Sequence, residues 1–165
     1  MAFQQLGNDT TTIYPDGQEL VWERVFDAPR ELVWRALTDP ESIPRWWGPR
    51  KYSTEVVEMD VRPGGRWRFI NRSAEGDEHP FKGEYLEVVP PKMFVWTFII
   101  DVEPLNQMEP GIDTHVLEDI GGGKTKLIVR SRFPSVEVLQ GAISSGMIEG
   151  GIETWDRLAE ELARG

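Results

Sequence analysis

Chemistry in this chain has few places to reside. There are two histidines, His79 and His115, and no cysteine. The lack of cysteine removes thiolate nucleophiles, zinc–thiolate sites and disulfides together. The histidines do not fall in an H-E-x-x-H or similar spacing, so neither a metal nor another cofactor is expected. His115 lies in "DTHVLED", where strand alternation puts it on one face with Leu117 and Asp119. In a pocket such a group orients a ligand or acts as acid–base; on an ordinary strand it is a hydrogen-bonded structural residue. His79 lies in the polar turn "SAEGDEH" and reads as solvated. Glu84, Glu87, Glu118 and Asp119 read as outward strand faces and strand ends. No G-x-S-x-G occurs, so there is no nucleophile elbow. "GGGKT" lacks the first glycine of a P-loop, since Glu118 stands there, and reads as a hairpin turn. No residue is assigned a catalytic role.

The aromatic residues are more informative. "PRWWGPRKY" places Trp46 and Trp47 side by side between two prolines. Adjacent residues cannot share one face of a strand or one stripe of a helix, so the two indoles must diverge. Burying an indole removes about 150–250 Å² from water, worth roughly 4–6 kcal/mol, so plain packing is motive enough. The competing reading is that one of them lines a cavity mouth, together with Trp96, Phe98 and Met147. Elsewhere aromatics alternate along strands: Trp67 with Phe69, Phe81 with Tyr85 across Gly83, and Phe94 with Trp96 and Phe98. Leu127 and Val129 do the same. These are the expected inward faces. For any one ring a filled core explains the pattern nearly as well; for the set, a pocket explains it better.

The elements that must position these residues can be read from period and punctuation. "ELVWERVF" reads as a strand. "DAPRELVWRAL" follows as a short helix, with Asp27 as cap and Pro29 in the first turn, and "DPESIPRWW" repeats the device with Asp39 and Pro40. Strands are then expected at 53–60, 66–72, 81–89, 93–102, 114–119 and 125–133, with a longer loop at 103–111. Tight turns between them imply antiparallel pairing. From Val138 the period becomes helical, and Met147, Gly151, Trp155, Leu158 and Leu162 form one stripe. Glycines at 141, 146, 150 and 151 are costly in a helix, which predicts a kink or a close approach there. The result is one α+β domain over 1–165, with 1–12 a flexible arm. A curved antiparallel sheet wraps a long C-terminal helix, leaving space between the two.

Charge narrows the partners. Lys and Arg number 18 and Asp and Glu 28, a net −10. Such a surface repels phosphate backbones and anionic lipid, so neither nucleic acid nor a membrane is expected as partner. A neutral small molecule or a basic protein remains. No apolar run approaches the ~20 residues of a membrane span. The first residues lack a basic and apolar leader pattern. With the absence of cysteine, this points to a cytoplasmic protein.

Taken in order, "VFDAPRELVWRALTDPESIPRWWGP", "DVRPGGRWRF", "KGEYLEVVPPKMFVWTF", "GGGKTKL" and "SGMIEGGIETWDRLAEEL" resemble the SRPBCC superfamily, also called START-like or birch-pollen-allergen-like. Within it the chain is similar to the AHSA-type branch, named after the activator of the heat-shock-protein ATPase. The resemblance spans roughly 19–162. It implies the helix-grip fold, with seven antiparallel strands gripping the C-terminal helix around a deep apolar cavity. It further implies binding of small hydrophobic molecules in many relatives and cyclase or aromatase chemistry in some. In the branch that supplied the name it implies co-chaperone activity tied to the stress response. Where relatives often carry an aromatic residue after the second glycine of "GMIEG", this chain has Gly151, with Trp155 one turn on.

The expected function is therefore binding of a small hydrophobic molecule between sheet and helix, by a monomer or homodimer and without catalysis. The expected wall is Trp46, Trp47, Trp67, Phe69, Phe81, Tyr85, Phe94, Trp96, Phe98, His115, Leu127, Met147, Gly151 and Trp155. A cyclase-like enzyme and a chaperone-binding protein are the alternatives. A cavity with two or more convergent polar groups would favour the enzyme, a purely apolar one the binder, and a filled core the interaction protein.

Overall fold

The computed structural model describes residues 5–164. Eight strands form one antiparallel sheet: β1 Thr12–Asp16, β2 Glu19–Phe26, β3 Tyr52–Met59, β4 Arg66–Ser73, β5 Glu78–Val89, β6 Met93–Ile100, β7 Gly111–Gly121 and β8 Lys124–Arg132. Their order across the sheet is β1-β2-β8-β7-β6-β5-β4-β3. The sequence reading expects seven strands; the eighth is β1, a short edge strand paired with β2 through Thr12↔Glu23 to Asp16↔Glu19. Gly17, at φ +64°, makes the tight turn that joins them. The expected arm at 1–12 overlaps β1, and its residues 5–11 are tied to it. The Leu6 amide donates to the Ile13 carbonyl at 2.7 Å, and Thr11 is buried. The part of that arm at 1–4 lies outside the described residues.

Irregular pairings in β3 at Val56/Glu58, in β5 at Tyr85/Glu87 and in β7 at Asp119/Gly121 break the ladder. Bulges of this kind bend a strand and increase twist, which curves the sheet around its helix. Two expected turn assignments give way to strand. His79 lies inside β5, paired with Asn71, and β7 begins at Gly111 rather than at 114.

Helices α1, Arg30–Thr38, and α2, Ile43–Trp46, connect β2 to β3. Pro29 rather than Asp27 occupies the N-cap position of α1, with no side-chain cap bond. Val33, Ala36 and Leu37 are its buried stripe. Asp39 does not cap α2, whose N-cap position is Ser42 with no side-chain cap bond; its Oδ1 accepts from the Glu41 amide at 2.9 Å within the turn between the two helices.

The C-terminal segment is two helices, α3 Val136–Ser144 and α4 Met147–Ala163. Gly146 separates them at φ +92°, a left-handed conformation that favours glycine. Ser135 caps α3 by accepting from the Val138 amide at 3.1 Å. Helix α4 packs Ile148, Leu158 and Leu162 into the core against the sheet and α1. No helix among the described residues is long and apolar enough to cross a membrane.

Candidate functional site

A cavity of about 740 Å³ lies between the concave sheet face and the C-terminal helices. Its floor is written in the strand register. Trp96 of β6, Asp113 of β7 and Ser131 of β8 lie opposite one another in one row, and Phe94, His115 and Val129 in the next. Opposed residues project to the same sheet face, so the two rows present a polar cluster edged by aromatic rings. The helical wall comes from Val138, Gly141 and Ala142 of α3 and from Met147, Gly151, Thr154 and Trp155 of α4. Helix α2 closes one side with Ile43 and Trp46. The loop after β6, including Leu105 and Met108, forms part of the rim.

Trp46 and Trp47 diverge because the chain leaves the helix between them. Trp46 is the last residue of α2, while Trp47 is already extended at φ −73°, ψ 130°. The Trp46 ring is buried and its Nε1 donates to the Ala36 carbonyl at 2.9 Å, tying α2 to α1. The Trp47 ring stands edge-on to Phe69 and Phe81, with centroids at 5.1 and 5.2 Å. Both tryptophans reach the cavity wall, so packing and lining are not alternatives at these positions. Behind them, Arg157 of α4 donates to the Gly48 carbonyl at 2.7 Å and the Arg45 carbonyl at 3.2 Å. The cation meets carbonyls at the end of α2, where the helix dipole favours positive charge.

Among the other expected wall residues, Phe94, Trp96, Phe98, His115, Leu127, Met147, Gly151 and Trp155 also line the cavity. Trp67, Phe69, Phe81 and Tyr85 do not; other rings cover them. Trp67 stacks on Trp96 with centroids 4.0 Å apart and planes 19° apart, and its Nε1 donates to the Thr97 carbonyl at 3.1 Å across Gly83. Phe69 and Phe81 lie under Trp47. Tyr85 is fully buried beside Phe94 and Trp96, and burial raises its phenol pKa. The concave face toward β4 and β5 is thus packed core, and the hollow lies toward β6, β7 and β8. Gly151 is on the wall yet leaves no open space of its own, because the Trp22 ring fills it: a Cβ there would lie 2.3 Å from Trp22 Cη2.

The polar cluster has unusual electrostatics. Trp96 Nε1 donates to Asp113 Oδ2 at 2.9 Å. Burial raises the Asp113 pKa, and the hydrogen bonds from Trp96 and Ser131 act against that rise. His115 stacks flat on Phe94 at 4.0 Å and is 8% exposed. Burial pushes its pKa down to about 3, against a weaker opposite influence of backbone groups of Phe94 and Asp113. Its Nδ1 has no hydrogen-bond partner of normal geometry among the described residues. At neutral pH the imidazole is uncharged. No group of three or more His, Asp or Glu able to hold a metal ion occurs among the described residues.

Asp113 and Ser131 are polar wall residues that the sequence-based expectation lacks. With the strand taken to begin at 114, Asp113 fell outside it. The signal was present: stepping back two residues from His115 puts Asp113 on the same face. Trp22, within the strand expected at "ELVWERVF", is likewise on the wall and absent from the expected one.

A family model for Activator of Hsp90 ATPase homolog 1-like protein matches residues 27–163. No curated protein matches the chain. Solved structures do. A protein from Arthrobacter aurescens, determined by solution NMR, is 22% identical, with 93% of this chain and 91% of that one covered and a TM-score of 0.85. A crystal structure of a Nitrosomonas europaea protein is 26% identical, with coverage of 89% and 95% and a TM-score of 0.77. The AHSA1 protein from Silicibacter pomeroyi is 23% identical, with coverage of 88% and 97% and a TM-score of 0.73.

Proposed function

Since the chain belongs to the Activator of Hsp90 ATPase homolog 1-like family, whose fold typically binds hydrophobic ligands, we propose that it binds a small hydrophobic molecule in the cavity between the sheet and α4. The observation that carries this reading is the cavity itself. At about 740 Å³ it lies within the ~300–1,000 Å³ range of small-molecule sites, and its wall is mostly apolar and aromatic with a few convergent polar groups. The test is titration with an uncharged apolar fluorescent probe such as Nile red, following melting temperature and stoichiometry. One probe per chain, a raised melting temperature, and loss of both in Ala142→Phe, which adds a ring at the half-buried mouth, support the reading. Binding unchanged in that variant places the probe elsewhere.

A second reading, acid–base chemistry on a bound cyclisable substrate, meets the mark set for an enzyme, two or more convergent polar groups, since Asp113, His115 and Ser131 border the same cavity; binding stays the first reading because burial holds the imidazole neutral and the rest of the wall is mostly apolar. In that reading Asp113 rather than His115 is the acid–base group, because burial holds the imidazole neutral and only weakly basic. Turnover of a polyketide-like substrate that disappears in Asp113→Asn and persists in His115→Gln would support it.

A further inference from the structure

Resting on the cavity's being a ligand site, we propose that its ligand is a hydrophobic molecule carrying a protonated amine, with the ammonium held between Asp113 and the neighbouring aromatic rings. A carboxyl group inside an apolar cavity needs either a counter-charge or a proton. No ion pair among the described residues involves Asp113. The other titratable groups that border the cavity are His115 on β7, Arg132 on β8 and Glu109 in the loop before β7. His115 is neutral. Arg132 contributes to the wall where β8 ends, but its side chain is exposed and alternates away from that of Ser131, and it makes no ion pair with Asp113. Helices α2, α3 and α4 bring only uncharged groups to the wall. No cation among the described residues therefore offsets Asp113.

What surrounds the carboxyl is suited to a cation from outside. Trp96 Nε1 donates a hydrogen bond to it and fixes its orientation, and this bond together with the neighbouring Ser131 hydroxyl favours the ionised form. Trp47, Phe98 and Trp155 add ring faces and edges to the same wall. A ring face attracts a cation, more strongly when water is excluded. Glu109 at the rim and a net charge of −10 draw cations toward the mouth and repel anions. An ammonium on an apolar body would meet each of these features, whereas a carboxylate ligand would meet the like charge of Asp113.

Three probes of one skeleton separate the possibilities: 1-adamantylmethylamine, 1-adamantylmethanol and 1-adamantanecarboxylate, titrated calorimetrically at pH 8. The amine should bind at least about tenfold tighter than the alcohol, the sum expected of a cation–ring contact and a buried opposite charge. The carboxylate should bind weakest. The amine's advantage should shrink as pH is lowered and Asp113 takes up its proton, and in Asp113→Asn it should vanish while alcohol binding persists. An alcohol that binds as tightly as the amine, or an advantage that survives in Asp113→Asn, overturns the ammonium and leaves the hydrophobic site standing. Failure of all three probes to bind overturns the site as well. Should the variant not fold, the pH series on the unaltered protein decides.

Discussion

Trp46 and Trp47 divide structural and wall duties between adjacent positions. Trp46 is 4% exposed and hydrogen-bonds into α1, so Trp46→Ala should lower stability by the ~3–5 kcal/mol typical of a truncated core aromatic. Trp47 is half-buried and rests edge-on against two phenylalanines. Trp47→Ala should cost clearly less in chemical denaturation, yet weaken an apolar probe by a larger factor relative to its loss of stability. Equal losses of stability with unchanged probe affinity would contradict this division. His115 gives a pH signature. Its folded pKa of about 3 lies below its ordinary 6.5, so the unfolded chain binds a proton that the folded one refuses. The stability held by the neutral ring is complete above about pH 6.5 and is lost progressively as pH falls toward 3. His115→Phe keeps a ring against Phe94 and removes that loss. Unfolding curves between pH 7 and pH 4 should therefore be flatter for the variant.

At the level of elements, α4 shows how sequence pattern becomes a wall. Its glycines were legible as points of close approach, and at Gly151 the approaching group is the Trp22 indole. Gly151→Ala should cost about 1–3 kcal/mol by overpacking and should alter the near-ultraviolet circular dichroism of the Trp22–Trp155 pair, whose centroids lie 5.8 Å apart. An unshifted melting temperature would mean that Trp22 moves aside freely. The helical stripe from Met147 to Leu162, the aromatic alternation of β6 and the hairpin at "GGGKT" could all be read from period alone. The start of β7 could not, because the segment before it carries prolines and no alternation, and β-pairing with Phe98 rather than local propensity extends the strand to Gly111. Nor could the sequence show which aromatic rings cover one another. Trp67 and Trp96 lie on strands that are not neighbours, and their stacking depends on side chains reaching across β5.

Seen as a whole molecule, the chain keeps its core and its hollow side by side on one concave sheet. The aromatic rings of β4 and β5 supply rigid packing, and those of β6, with β7 and β8, leave room. That division was only half legible: the single domain, the antiparallel sheet and the gripping helix follow from element order, while the position of the void depends on how Trp47 and Trp22 turn. The helix pair adds a last consequence, and it concerns time rather than affinity. Helix α3 borders the cavity but buries only Leu139 among its residues, is joined to α4 through Gly146, and is started by the Ser135 cap. It is therefore a weakly anchored segment at the mouth, of the kind expected to open locally. Ser135→Ala removes the cap, worth about 1 kcal/mol, without touching a wall side chain. Stopped-flow mixing with a fluorescent probe should show association and dissociation both accelerated, with their ratio preserved. The residence time of a guest would then be set by a helix that contributes little to holding it.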